Sequence, residues 1–168
     1  MNDKKELTKK FIMVDMNDAM ISTNDRYIIG TDALATCTGV LIYSENTKRA
    51  IVAHISSDYM KAIDKIFNLI IKNKLYNEKL KYAIIRGTDI EAHDYYGIIN
   101  ILLEHFKDYI PFNDNIVLNG VGLDEKTFSN QFAFDALNGE FVTNKVLFGI
   151  DYYIVNPITN SNTSNRSR

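Results

Sequence analysis

The sequence predicts an α+β fold, with β-sheets at the centre flanked by two long helices. Three observations lead there. Apolar residues recur at helical spacing in two stretches. Elsewhere they gather in short runs, as strands do. Polar turn pairs, Asn17-Asp18 and above all Asn138-Gly139, punctuate those runs.

Taken in order, Lys10 to Met16 and Ala19 to Thr23 read as short strands around Asn17-Asp18. Arg26 to Gly30 is a further apolar run. Val40 to Tyr43 and Ala50 to Ile55 read as strands flanking a polar, hairpin-like loop over Ser44 to Arg49. The period then changes. Met60, Ile63, Ile66, Phe67, Ile70 and Ile71 keep helical spacing, with Ser57 or Asp58 as the natural N-cap. Leu80 to Ile85 is the next strand. Thr88-Asp89-Ile90-Glu91 fits a capping box ahead of a second helix. That helix carries Tyr95, Ile98, Ile99, Leu102, Phe106 and Tyr109 on one stripe, and Pro111 stops it. Strands are expected at Asn115 to Leu118, Phe128 to Phe134, Glu140 to Val142 and Val146 to Val155.

The chain of 168 residues suits a single domain over residues 1–157. The polar run Thr159 to Arg168 (TNSNTSNRSR) holds no apolar residue, so residues 158–168 are expected to be a disordered tail. Lys+Arg 19 against Asp+Glu 21 leaves a net charge of −2, which argues against a nucleic-acid partner. No apolar run has the length of a membrane span or a signal segment. A monomer in the cytoplasm of the producing cell is expected, with delivery into a host cell left open.

One cysteine, Cys37, excludes an internal disulfide and a Cys-rich zinc site. Free cysteine is often buried filler, so Cys37 is either packed core or a nucleophile. The stretch from Tyr27 to Ser57 holds the informative spacing. Thr31 lies six residues before Cys37, and His54 lies seventeen after it. If the flanking strands pair as a hairpin, Cys37 and His54 fall at the same end. Small neighbours of Cys37 (Ala35, Thr36, Thr38, Gly39) would let a substrate approach the backbone closely.

This Thr–Cys–His spacing resembles that of the CheD family of chemoreceptor glutamine deamidases. So does Ala53-His54 at a strand end. Beyond the motif, the helix, strand and helix that follow and the stretch FDALNGEFVTNKV (Phe134 to Val146) fit the same layout. The resemblance covers about Arg26 to Val155. The wider group takes in the catalytic domain of cytotoxic necrotizing factor and the Burkholderia lethal factor, which deamidate host-protein glutamines. The chain departs from the CheD pattern in three places. Ala35-Thr36 replaces Gly-Ser before the cysteine. Ile55-Ser56-Ser57 replaces a Leu-Pro after the histidine. Ile85-Arg86-Gly87-Thr88 stands where a Gly-Gly turn is usual.

The resemblance implies a CheD-like layered sandwich and a hydrolase: a protein-glutamine deamidase with Cys37 as nucleophile, His54 as its base and Thr31 as the residue that fixes His54. The partner it implies is a protein substrate presenting an exposed glutamine, either a host protein met by a secreted effector or toxin, or a bacterial chemoreceptor in chemotaxis. An adaptor that keeps the fold without the chemistry, and amidase action on a peptide-terminal Asn or Gln, are the alternatives. Thr36 and Thr38 flank the nucleophile and are candidate substrate-binding residues. A neighbouring imidazolium is expected to lower the Cys37 pKa and speed its alkylation. The chemistry needs no cofactor, and no metal is expected. His93 and His105 find no third ligand at compatible spacing, and Gly120-Val121-Gly122 lacks the rest of a phosphate loop.

Overall fold

The apolar runs fold into strands close to where their spacing predicts them. Strands β1 (Phe11–Met13), β2 (Ala19–Ile21), β3 (Ile28–Thr31), β4 (Thr38–Ser44) and β5 (Arg49–Ile55) precede helix α1 (Tyr59–Lys72). A 3₁₀ turn at Leu75–Asn77 leads into β6 (Leu80–Arg86) and helix α2 (Ala92–Phe106). Then come β7 (Phe132–Asp135), β8 (Glu140–Phe141), β9 (Lys145–Leu147) and β10 (Ile150–Tyr152). The structure, a computed structural model, describes residues 9–107, 131–142, 145–147 and 150–152. The expected strand at Asn115 to Leu118, the start of the run at Phe128, the helix end at Tyr109 and Pro111, and the tail over 158–168 lie outside the described residues.

One sheet runs β2-β5-β4-β6 and is antiparallel throughout. A second runs β1-β3-β7-β8, with β1 parallel to β3 and the rest antiparallel, and β9 and β10 form a separate antiparallel pair. Alternation along β4 and β5 sorts their side chains between two layers. Val40, Ile42, Ile51, Ala53 and Ile55 pack with Ile63 and Ile66 of α1 and Tyr95, Ile98 and Leu102 of α2. Leu41, Tyr43, Ala50 and Val52 face the other way, onto Ile29, Phe132 and Phe134 of the second sheet. The order of layers is helices, first sheet, second sheet. The fold is α+β, and both helices lie on the same side.

The differences from expectation have physical causes. β1 and β2 do not form a hairpin across Asn17-Asp18. Asn17 takes a left-handed φ of 60°, and the chain crosses there from one sheet to the other. α2 begins at Ala92, four residues after the expected cap at Thr88. The amides of Gly87 and Asp89 are already spent on the carbonyls of Cys37 and Ala35, so this segment is tied to the Cys37 loop instead of starting a helix. The β7–β8 hairpin forms as predicted, with Gly139 at φ +69° closing a turn that the Asp135 carboxylate caps at the amides of Leu137 and Asn138. The run expected as one strand over Val146 to Val155 overlaps two paired strands, β9 and β10, the first starting one residue earlier at Lys145.

Candidate active site

His54 lies on β5 directly opposite Gly39 of β4. Thr38, where the pairing starts, lies opposite Ile55, and Cys37 precedes it in the same inter-sheet layer as Leu41 and Val52, whose face His54 shares. That face looks into the layer between the sheets, where Cys37 packs with Leu34 and Phe132. Thr31 ends β3 in the opposing sheet. It meets His54 across the gap, with its hydroxyl 2.8 Å from Nδ1. All three side chains are buried: Thr31 is 2 % exposed, Cys37 3 % and His54 3 %.

The hydrogen bonds around Thr31 fix the proton on His54. The Thr31 hydroxyl has one hydrogen and donates it to the Val14 carbonyl at 2.7 Å. It can then only accept from His54, so Nδ1 carries the ring proton. Nε2 is left with its lone pair. That atom is buried and has no hydrogen-bond partner among the described residues. His54 Nε2 and Cys37 are therefore not hydrogen-bonded to each other.

Electrostatics reinforce the neutral form of both groups. Burial pushes the His54 pKa below its ordinary value, against weaker opposing pulls from Asp32 and Asp15. Burial pushes the Cys37 thiol up, against a weaker downward pull from the Thr36 hydroxyl. The thiol pKa thus moves opposite to the sequence expectation. Desolvation penalises both charged forms, and neither group is among the causes of the other's shift.

The backbone under Cys37 is clamped. A Cβ on Gly87 would lie 1.8 Å from the Leu34 oxygen, 2.3 Å from that of Cys37 and 2.6 Å from that of Ala35. Only glycine fits there. Peptide N–H and C=O point opposite ways. Turning the Leu34 and Ala35 carbonyls onto Gly87 therefore turns the amides of Ala35 and Thr36 away from it. Neither amide has a backbone acceptor among the described residues. The Cys37 amide makes a long 3.4 Å bond to Leu34. Ala33, at φ 54°, sets the entry to this loop in a conformation that side chains disfavour.

Of the residues singled out in the sequence, the structure joins Thr31 to His54 and Thr36 to Cys37, with no hydrogen bond between the two pairs among the described residues. It does not bring Thr38 to either pair. That hydroxyl lies on the helix-facing side of the sheet with Val40 and Ile42, fully buried and without a partner among the described residues. Spacing missed the supports. Val14 contributes a carbonyl, which no side-chain pattern reveals. The Asn17 amide donates to the His54 carbonyl at 2.8 Å, and its side chain bonds the Ser56 hydroxyl. Lys65 of α1 holds the neighbouring Asp18 at 2.7 Å. The Asn-Asp turn signal was the only hint of these.

Among the described residues no group of three metal-ligating side chains converges. His93 is exposed and faces Asp94 at 3.2 Å. His105 bonds the Ile101 carbonyl of its own helix. No helix of the described residues is long and apolar enough to cross a membrane. Comparison with protein-family models and with curated proteins finds no match to this chain.

Proposed function

We propose that the chain is a cysteine amide hydrolase that converts a glutamine side chain of a target protein to glutamate. The observation that carries this reading is the Val14–Thr31–His54 relay, which leaves a bare Nε2 on the face that Cys37 shares. The substrate class comes from the resemblance of the Thr31, Cys37 and His54 spacing to the CheD family.

The reaction follows from these groups. His54 Nε2 takes the Cys37 thiol proton as Sγ attacks the carboxamide carbon. Backbone amides of the Ala35–Cys37 loop meet the oxyanion, a contribution of roughly 3 kcal/mol per donor in well-studied hydrolases. The tetrahedral adduct collapses to a thioester, and the leaving nitrogen departs as ammonia with the proton from Nε2. Water then gives a proton to Nε2 and attacks the thioester carbonyl. Glutamate is released, and Sγ recovers its proton. Thr31 acts throughout as a positioning residue for the imidazole.

Within this reading an effector acting on a protein of another cell is favoured over a chemoreceptor deamidase. The departures from the CheD pattern fall on the scaffold around the nucleophile, while the catalytic set is kept. The competing reading is a non-catalytic adaptor, which the burial of Cys37 favours. Intact-mass spectrometry of candidate targets separates the two. Deamidation adds ~1 Da, the difference between amide and acid for the hydrolysis above. The gain should disappear with Cys37→Ala, and ammonia release should disappear with Cys37→Ser and His54→Ala. Mass gain that survives Cys37→Ala refutes the assignment.

A further inference from the structure

A cleft of ≈ 270 Å³ opens beside the nucleophile loop, between the start of α1 and the first turns of α2. It shares Thr36 with that loop, and Ser56, which follows the Ile55 that pairs with Thr38, forms part of its wall. The floor is apolar, made by Ile90 and Ile98, and Asp94 stands on its rim. The volume falls below the ~300–1,000 Å³ of pockets that enclose whole small molecules or cofactors. It suits one long side chain of a bound polypeptide.

Gly97 is the telling residue. It sits inside α2, where glycine is a poor helix former. A Cβ there would meet nothing within 4 Å, so no packing demand explains it. It lines the cleft and leaves the space above the floor free.

The charges around the opening are mostly carboxylates. Asp58, Asp89 and Glu91 are exposed and adjoin lining residues in the chain, alongside Asp94 itself. The cations nearby are Lys61, one turn into α1, and Arg86, which is turned onto the Tyr95 ring and the Ile90 carbonyl. His93 faces Asp94.

Resting on the deamidase reading, we infer that this cleft is a specificity pocket for a lysine or arginine side chain next to the target glutamine. The methylene stem lies on Ile90 and Ile98 over Gly97, and the cationic head reaches Asp94. Long basic side chains divide in this way between apolar surface and a charged rim. Shared walls at Thr36 and Ser56 hold the neighbouring glutamine at the Cys37 loop.

The test is ammonia release by the full chain from paired glutamine peptides carrying Lys or Glu beside the glutamine. The wild type should prefer the Lys peptide in kcat/KM by about tenfold or more. Asp94→Lys should erase or invert that preference. Glu104→Lys, the same charge change at the far end of α2, should preserve it. Gly97→Leu, which improves helix propensity, should keep or raise Tm while raising KM for the Lys peptide severalfold. An unchanged preference in Asp94→Lys, or an unchanged KM in Gly97→Leu, overturns the pocket. If the wild type releases ammonia from neither peptide, the deamidase reading fails and fluorescence anisotropy of the same peptides decides the pocket. Selective binding of the Lys peptide, lost in Asp94→Lys, supports it. Equal binding by both proteins overturns it.

Discussion

Thr31→Val tests the relay at its centre, because it removes a hydroxyl and keeps a β-branched side chain of similar size. The variant deprives the His54 Nδ1–H of its acceptor and the Val14 carbonyl of a donor, both inside the inter-sheet layer. A buried donor left unpaired costs about 1–3 kcal/mol. The carbonyl adds less, since carbonyl oxygens tolerate under-satisfaction better than N–H groups. The expected loss is therefore about 2–3 kcal/mol, a large part of the ~5–15 kcal/mol that holds a domain together.

The chemical consequence is separate from the loss of stability. Without an acceptor at Nδ1 the imidazole proton is free to sit on Nε2, where it blocks uptake of the thiol proton. A neutral hydrogen bond contributes about 1 kcal/mol, so the tautomer ratio should shift about five- to tenfold. Ammonia release should fall by at least that factor. ¹⁵N NMR of the imidazole reads the tautomer without reference to catalysis, and urea unfolding reads the stability. Thr31→Ser should restore both. An Nδ1–H tautomer that persists in Thr31→Val, or a stability loss under about 0.5 kcal/mol, refutes the relay.

Gly87→Ala should destabilise by at least the ~1–3 kcal/mol usual for overpacking, because the obstructing atoms are backbone oxygens that cannot rotate away; urea midpoints and faster Cys37 alkylation as the loop lifts would report it. Tyr43→Phe should cost about 0.5–1.5 kcal/mol in unfolding free energy, because it removes the buried hydroxyl bond to Ala136 at 2.8 Å that links the two sheets. His54 has its folded pKa below the ordinary 6.5, so the unfolded chain binds the extra proton and stability should fall as pH drops through and below 6.5. Cys37 has its folded pKa above the ordinary 9.0, so stability should also fall as pH rises past 9.0; a Cys37→Ala variant should lose that alkaline limb. Iodoacetamide should alkylate Cys37 no faster at pH 6 than an ordinary thiol, and rapid reaction there would show a thiolate–imidazolium pair instead.

Much of the scaffold was legible because it obeys simple periods. The α2 stripe of Tyr95, Ile98, Ile99, Leu102 and Phe106 is buried as its spacing demands. β4 and β5 pair through the polar loop between them, and that hairpin puts His54 opposite Gly39, two residues from Cys37. Other features were hidden for definite reasons. Thr88 to Glu91 satisfies the local rule for a capping box, but the Ala35 carbonyl captures the Asp89 amide, a contact 54 residues away in the chain. The αL conformation of Ala33 has no sequence signal, because glycine or asparagine is what that backbone ordinarily selects. The thiol pKa was misjudged because spacing places His54 near Cys37 without revealing how dry the surroundings are. Burial decided the sign.

That dryness bears on how the proposed reaction is controlled. A thiolate held permanently beside an imidazolium would be reactive toward any electrophile that reached it. Here the resting pair is uncharged, and Nε2 and Sγ are not hydrogen-bonded. Charge separation inside this layer becomes affordable only when something stabilises the negative end. The amides of Ala35 and Thr36 can do so once a carbonyl oxygen sits against them, and a substrate carboxamide brings that oxygen with it. In the proposed reaction, proton transfer, nucleophilic attack and oxyanion formation would then belong to one event, triggered by substrate entry. The Gly87 clamp is central to this arrangement. It holds the carbonyls of the loop on one side and its amides on the other before any substrate arrives, so that donors need not reorganise during the reaction.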